Sequence, residues 1–171
     1  MQKSEKKLTE LKNLLVNGKY NEIHDRISML RSEEPFEGAI RSLALFYDKT
    51  ADEGLKLLIT SFFNDMKERS ARAEVVDALS AVSNQFSRTM LASSCWQSGL
   101  DYSEYAVALA DAFMAGDYMT SLECFTVFET CMGLISDRDR AGIIMNLERE
   151  IQGYDIQKQR LAGELLTMLQ G

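Results

Sequence analysis

Apolar positions recur every three or four residues along nearly the whole chain, and no stretch of any length alternates in the two-residue period of a strand. After Asp101, the residues Tyr102, Tyr105, Ala106, Leu109, Ala110 and Phe113 make one apolar helical face of ordinary width. The following segment is different. Leu122, Cys124, Phe125, Val127, Phe128, Cys131, Met132 and Ile135 surround most of the circumference, leaving a narrow polar strip of Glu123, Thr126, Glu129 and Thr130. A helix apolar on most sides is covered on most sides, so this one is expected in an inner position between neighbouring hairpins. The pattern predicts ten helices, starting near residues 4, 20, 36, 51, 71, 87, 102, 118, 137 and 155.

The punctuation between these segments has physical causes. Gly18, Gly99, Gly116 and Gly153 fall where a helix ends and a left-handed residue is favoured. Thr50 with Glu53, and Asp101 with Glu104, have the spacing of capping boxes, and Asp117 is placed to cap the helix that follows it. Pro35, the single proline, suits a first helical position, where its missing N–H would have had no partner.

Consecutive starts lie 15 to 20 residues apart, so two helices occupy 31 to 37 residues. That spacing is close to the period of about 34 for tetratricopeptide repeats and somewhat below the roughly 40–47 of HEAT and armadillo repeats. Gly18-Lys19-Tyr20, Gly116-Asp117-Tyr118 and Gly153-Tyr154-Asp155 echo one another at helix-to-helix turns. The expected fold is all-α: one domain over residues 1–171, a short right-handed stack of antiparallel helical hairpins. In such a stack contacts run mostly between sequence neighbours.

The run from Leu91 to Ser103, which includes Cys95-Trp96-Gln97, is the most distinctive stretch. Together with Gly116-Asp117-Tyr118 and Leu122 to Glu129, it resembles a group of uncharacterised bacterial proteins described as HEAT-repeat-like. The resemblance is strongest over residues 88–130 and fades on both sides. It implies a curved helical-repeat fold and a role in binding other proteins, and it implies no catalytic residue.

Composition narrows the partners. The net charge is −7. Residues 1–70 hold twelve basic and twelve acidic residues, whereas residues 71–171 hold seven basic and fourteen acidic ones. No lysine or arginine lies between Arg88 and Arg138, a stretch containing Asp101, Glu104, Asp111, Asp117, Glu123, Glu129 and Asp137. A phosphate backbone needs several neutralising cations, so neither nucleic acid nor an anionic membrane surface is an expected partner. The first residues resemble no signal peptide and no segment approaches the roughly 18 apolar residues of a membrane span, so a cytoplasmic protein is expected.

Little in the residues points to catalysis or to a cofactor. Cys95, Cys124 and Cys131 form no disulfide framework and read as reduced core thiols. His24, the single histidine, stands beside Asp25 and far from any cysteine, which is not the spacing of a zinc site. The ten glycines form no phosphate loop, and Ser98-Gly99 lacks the strand–turn–helix setting of a nucleophile elbow. Cys95 has no neighbouring base to activate it. Glu123 and Glu129, six residues apart, point about 600° around a helix from one another and do not converge.

The function expected from the residues is therefore a non-enzymatic interaction module without metal or cofactor. Its partner would be a protein or basic peptide, held on an acidic and aromatic surface of Trp96, Gln97, Asp101, Tyr102, Asp117, Tyr118 and Glu123. Asp101, Asp117 and Glu123 are expected to share one exposed patch. Two alternatives stand beside this reading. One is an enzyme with a carboxylate-based site in the same groove. The other is self-association, with the chain a monomer or weak homo-oligomer, through apolar residues of the last helix: Leu161, Leu165, Leu166 and Met168.

Overall fold

A computed structural model describes residues 2–171. They form ten α-helices joined by short connections: α1 (Gln2–Asn17), α2 (Tyr20–Leu30), α3 (Ala39–Lys49), α4 (Glu53–Asn64), α5 (Arg72–Ala81), α6 (Gln85–Gln97), α7 (Ala106–Ala115), α8 (Tyr118–Cys131), α9 (Asp137–Glu150) and α10 (Ile156–Gln170). Among the described residues there is no strand, and no helix is long and apolar enough to cross a membrane.

Each odd-numbered helix packs on the even one that follows it, giving five hairpins. The first helices, α1, α3, α5, α7 and α9, touch in sequence and form one layer, and the second helices, α2, α4, α6, α8 and α10, form the other. The core lies between the layers and runs the length of the stack, with Phe63, Phe113, Phe128, Leu43 and Leu91 wholly buried. The expectation for α8 holds: it touches α6, α7 and α10, and only Met119, Glu129 and Thr130 on it are fully exposed.

Every expected helix start lies within four residues of an observed one, but several boundaries are set by contacts other than the expected ones. Pro35 sits exposed in the α2–α3 connection, four residues before α3 begins. Of the four glycines assigned a left-handed backbone, only Gly99 has one, with φ at 69°. Gly18 and Gly116 are required by crowding instead. A Cβ on Gly18 would lie 2.5 Å from the Leu14 carbonyl oxygen, and one on Gly116 would lie 2.7 Å from Thr120 Cβ and 2.8 Å from the Ala112 carbonyl oxygen. Both glycines sit at the tight turn inside a hairpin, where the second helix leaves within two residues of the end of the first. Thr50 and Glu53 form no capping box: Asp52 caps α4 by accepting from Leu55 N, and Thr50 Oγ1 accepts from Asp52 N. Asp117 does cap α8, through Thr120 N at 2.9 Å.

Charged side chains tie successive hairpins together at the helix ends. Gly38 precedes α3 and offers no capping side chain, so Glu74 on α5 accepts from Gly38 N at 2.7 Å and Arg41 N at 3.2 Å. Asp48, near the end of α3, accepts from Ser83 N, Ser83 Oγ and Asn84 N at 2.8 to 3.0 Å in the turn of the next hairpin. Although burial works to raise it, these donors hold the Asp48 carboxyl down at about 2, below the usual carboxylate range.

Two stability outcomes follow. Because its folded pKa is depressed, the Asp48 contribution is fully present above the unfolded value of about 3.9 and disappears as pH falls through about 2. Asp48→Ala is expected to cost about 1–2 kcal/mol at pH 7. In urea melts the gap from wild type should close between pH 4 and pH 2. Gly116→Ala should destabilise by about 1–3 kcal/mol through overpacking. Gly153→Ala, whose added Cβ meets nothing within 4 Å, should be neutral or gain up to about 1 kcal/mol through a stiffer unfolded chain.

Candidate interaction surface

The stretch singled out from the sequence spans the third and fourth hairpins. Trp96 near the end of α6 is half-buried, and its indole Nε1 donates to Glu123 Oε2 on α8 at 2.7 Å. Long helical side chains lean back toward the helix start, which lets Trp96 reach a residue in the first half of the parallel neighbour. Thr89 and Thr120 link the same two helices by a 3.0 Å hydroxyl contact. Trp96 is thus partly core and partly surface, and Glu123 serves it as an acceptor.

The other residues of the stretch do not gather around this pair. Gln97 is exposed at the end of α6. Asp101 accepts from Ser103 N at 2.9 Å and starts a single 3-10 turn, Ser103–Tyr105, ahead of α7. Glu104 takes no part in capping and instead pairs with Arg72 at 2.6 Å. Asp117 and Tyr118 lie beyond the far end of α7, which at ten residues is about 15 Å long. Asp101 and Asp117 therefore mark opposite ends of the hairpin, so the expected single patch of Asp101, Asp117 and Glu123 does not form. Tyr102 was expected on the surface and is wholly buried. Its hydroxyl lies beside Cys95 and Ser98 without a well-formed hydrogen bond, and burial raises its ionisation above the ordinary tyrosine range.

The cation-free segment is not free of cations in space. Lys67 donates to the Ser98 carbonyl at 2.6 Å, and Arg72 donates to the Asp101 carbonyl, both reaching in from the connection before α5 and the start of α5. Lys158 on α10 is buried, and its ammonium donates to the carbonyls of Met114 at 2.7 Å and Gly116 at 2.6 Å. The same ammonium lies 4.3 Å from the centre of the Tyr154 ring. Desolvation lowers the Lys158 pKa, while Asp155 and Asp117 pull it back up. Cations at helix C-termini complement the partial negative charge of unpaired carbonyls. Sequence distance concealed them, since both groups of donors come from adjacent hairpins.

The thiols are core groups. Cys95, Cys124 and Cys131 are free and buried, and burial pushes Cys95 up to about 12 and Cys131 to about 11. Such thiols are poor nucleophiles at neutral pH. His24 is half-buried, stacked near Tyr20, with Nδ1 3.4 Å from Asp25. Among the described residues no group of three or more His, Cys, Asp or Glu side chains is placed to hold a metal ion. Leu161 and Leu165, two of the four residues assigned to self-association, are buried in the core. Set against known proteins, the chain matches no family model, no curated protein and no solved structure.

Surface openings lie elsewhere. Between α1 and α3 runs an apolar groove of about 480 Å³, and between α5 and α7 one of about 390 Å³ lined by Asp77, Arg88, Asp111, Ala108 and Ala112. A smaller cleft of about 290 Å³ lies between the α2–α3 and α4–α5 connections, with Phe36, Ile40 and Met66 inside and Arg31, Glu34, Asp65, Lys67 and Glu68 among its lining.

An outcome specific to this region concerns Tyr102. Its buried hydroxyl carries an unrecovered desolvation cost, so Tyr102→Phe should keep the packing and raise stability by about 1–2 kcal/mol in a denaturant melt. A loss of stability instead would reveal a hydroxyl partner such as Ser98.

Proposed function

We propose that the protein is a non-catalytic scaffold that binds another protein along the outer face of its second-helix layer. The observation that carries this reading is a row of exposed apolar side chains, one in every hairpin. Tyr20, Leu57, Phe86, Met119 and Ile156 are large, apolar and exposed, Leu57 and Phe86 at 72%. They follow the N-cap residues Lys19, Asp52, Asn84, Asp117 and Asp155 by one, five, two, two and one residues. At about 100° per residue these offsets fall in one sector, roughly 100° to 200° around from the cap. The residue seven after the cap, about 340° around, is buried in four of the five helices: Ile59, Leu91, Cys124 and Ala162. The row therefore faces away from the core and runs along the stack, near the edge where the two helices of each hairpin are joined.

Exposed apolar side chains scattered singly need no explanation, but a contiguous set aligned by the architecture is the usual mark of a binding surface. Repeat stacks bind through extended faces of this kind. The charges around the row are acidic on balance and favour a basic partner with apolar anchors. Glu22, Asp52, Glu53, Asp117 and Asp155 border it, against Lys19, Lys56 and Arg160, while Arg88 and Lys158 turn inward to carbonyls. Asp117 and Tyr118 are common to this surface and to the one expected from sequence. The likeness of residues 88–130 to HEAT-repeat-like proteins belongs to the same proposal.

Leu57→Ser with Phe86→Ser should leave stability within about 0.5 kcal/mol, since both side chains already face solvent. The double variant, used as bait beside wild type in cells of the source organism, should lose a specific partner that wild type retains. Equal recovery of the same proteins by both baits would remove the row as a binding surface. Sedimentation at rising concentration separates out self-association: a dimer of wild type that the variant cannot form would make the partner a second copy.

A further inference from the structure

The groove between α1 and α3 differs in chemistry from the α5–α7 groove and the smaller cleft. Its walls are Lys12, Leu15 and Val16 from α1, and Ser42, Leu45, Phe46 and Lys49 from α3 with Thr50 just past its end. Val16 is 81% exposed, the most exposed large apolar side chain among the described residues. Lys12 and Lys49 stand one on each wall, both exposed, and neither pairs with a carboxylate. No acidic residue lines the groove, although the chain as a whole carries −7. By contrast, the α5–α7 groove holds two aspartates and the smaller cleft holds charges of both signs.

We propose that this groove docks an acidic amphipathic helix of another protein. The α1 and α3 walls are neighbours in one layer, and the furrow between two such helices accepts a third helix laid along it. The apolar face of the incoming helix would cover Leu15, Val16, Leu45 and Phe46. Carboxylates on its two flanks would meet Lys12 on one side and Lys49 on the other. A basic helix would bring like charges onto both walls, so the groove selects by repulsion as well as by attraction. The proposal extends the interaction reading to the opposite layer, and it stands whether or not the row on the second helices binds anything.

The test uses the full chain and two labelled 18-residue helical peptides with the same Leu/Ala face, one flanked by glutamate and the other by lysine. The glutamate peptide is expected to bind with micromolar affinity, at least tenfold tighter than the lysine peptide, and to weaken as salt rises. Lys12→Glu with Lys49→Glu should reverse that preference, and Val16→Asp should abolish binding of the glutamate peptide. Circular dichroism confirms that these surface variants keep their helices. Equal binding of the two peptides, an unchanged preference in the charge-reversed variant, or no binding of the glutamate peptide would each overturn the proposal. So would tighter association with phosphatidylglycerol vesicles than with the peptide, since that result assigns the lysines to a lipid surface.

Discussion

Ten helices leave a large number of backbone amides and carbonyls without partners at their ends, and the fold depends on satisfying them across hairpin boundaries. Glu74 caps α3 from α5, and Asp48 caps the α5–α6 turn from α3. Lys67 covers the end of α6, Lys158 the end of α7 and Arg140 the end of α8, the last by donating to the Met132 carbonyl at 3.0 Å. In several of these contacts a charge from one hairpin completes a helix terminus of another. Apolar burial holds the layers together without choosing a register. A charge that must meet particular amides or carbonyls fixes how far one hairpin slides along the next.

That use of charge governs what the surface can offer. Many of the cations in the second half of the chain are drawn inward to carbonyls, and several carboxylates are occupied as caps. The charges left outward are therefore not those a count along the sequence would select. Glu104 is paired with Arg72 and the Asp101 carboxylate accepts from Ser103 N, whereas Lys12 and Lys49 pair with no carboxylate and line a groove beside exposed Val16. The row on the second helices is bordered mainly by carboxylates, whereas the groove between α1 and α3 is cationic and apolar.

Helix existence was legible because a 3.6-residue period is a property of local sequence and survives any packing. The stripe from Tyr102 to Phe113 is core, apart from half-buried Tyr105, and α8 is enclosed on three sides as its circumference implies. Asp117 acts as a cap because capping is settled within four residues. Tyr102, which belongs to the apolar stripe and was also expected on the surface, goes with the stripe and is wholly buried. Gly18 and Gly116 are required by close contact and not by a left-handed backbone, a distinction that needs the neighbouring atoms.

The amino-acid order by itself determined an all-helical chain of ten segments, its hairpin spacing, the burial of its thiols and most of its core, because periodicity and capping act over a few residues. Only the tertiary structure decided which charges meet. Lys158 lies 44 residues from Met114 and Arg72 lies 32 from Glu104, yet both pairs are in contact. The aligned row on the second helices and the cationic groove between α1 and α3 arise in the same way, from residues that become neighbours only when hairpins stack. Electrostatic and apolar surfaces depend on distance in space, and in a stacked fold that distance is set by packing between units rather than by position along the chain.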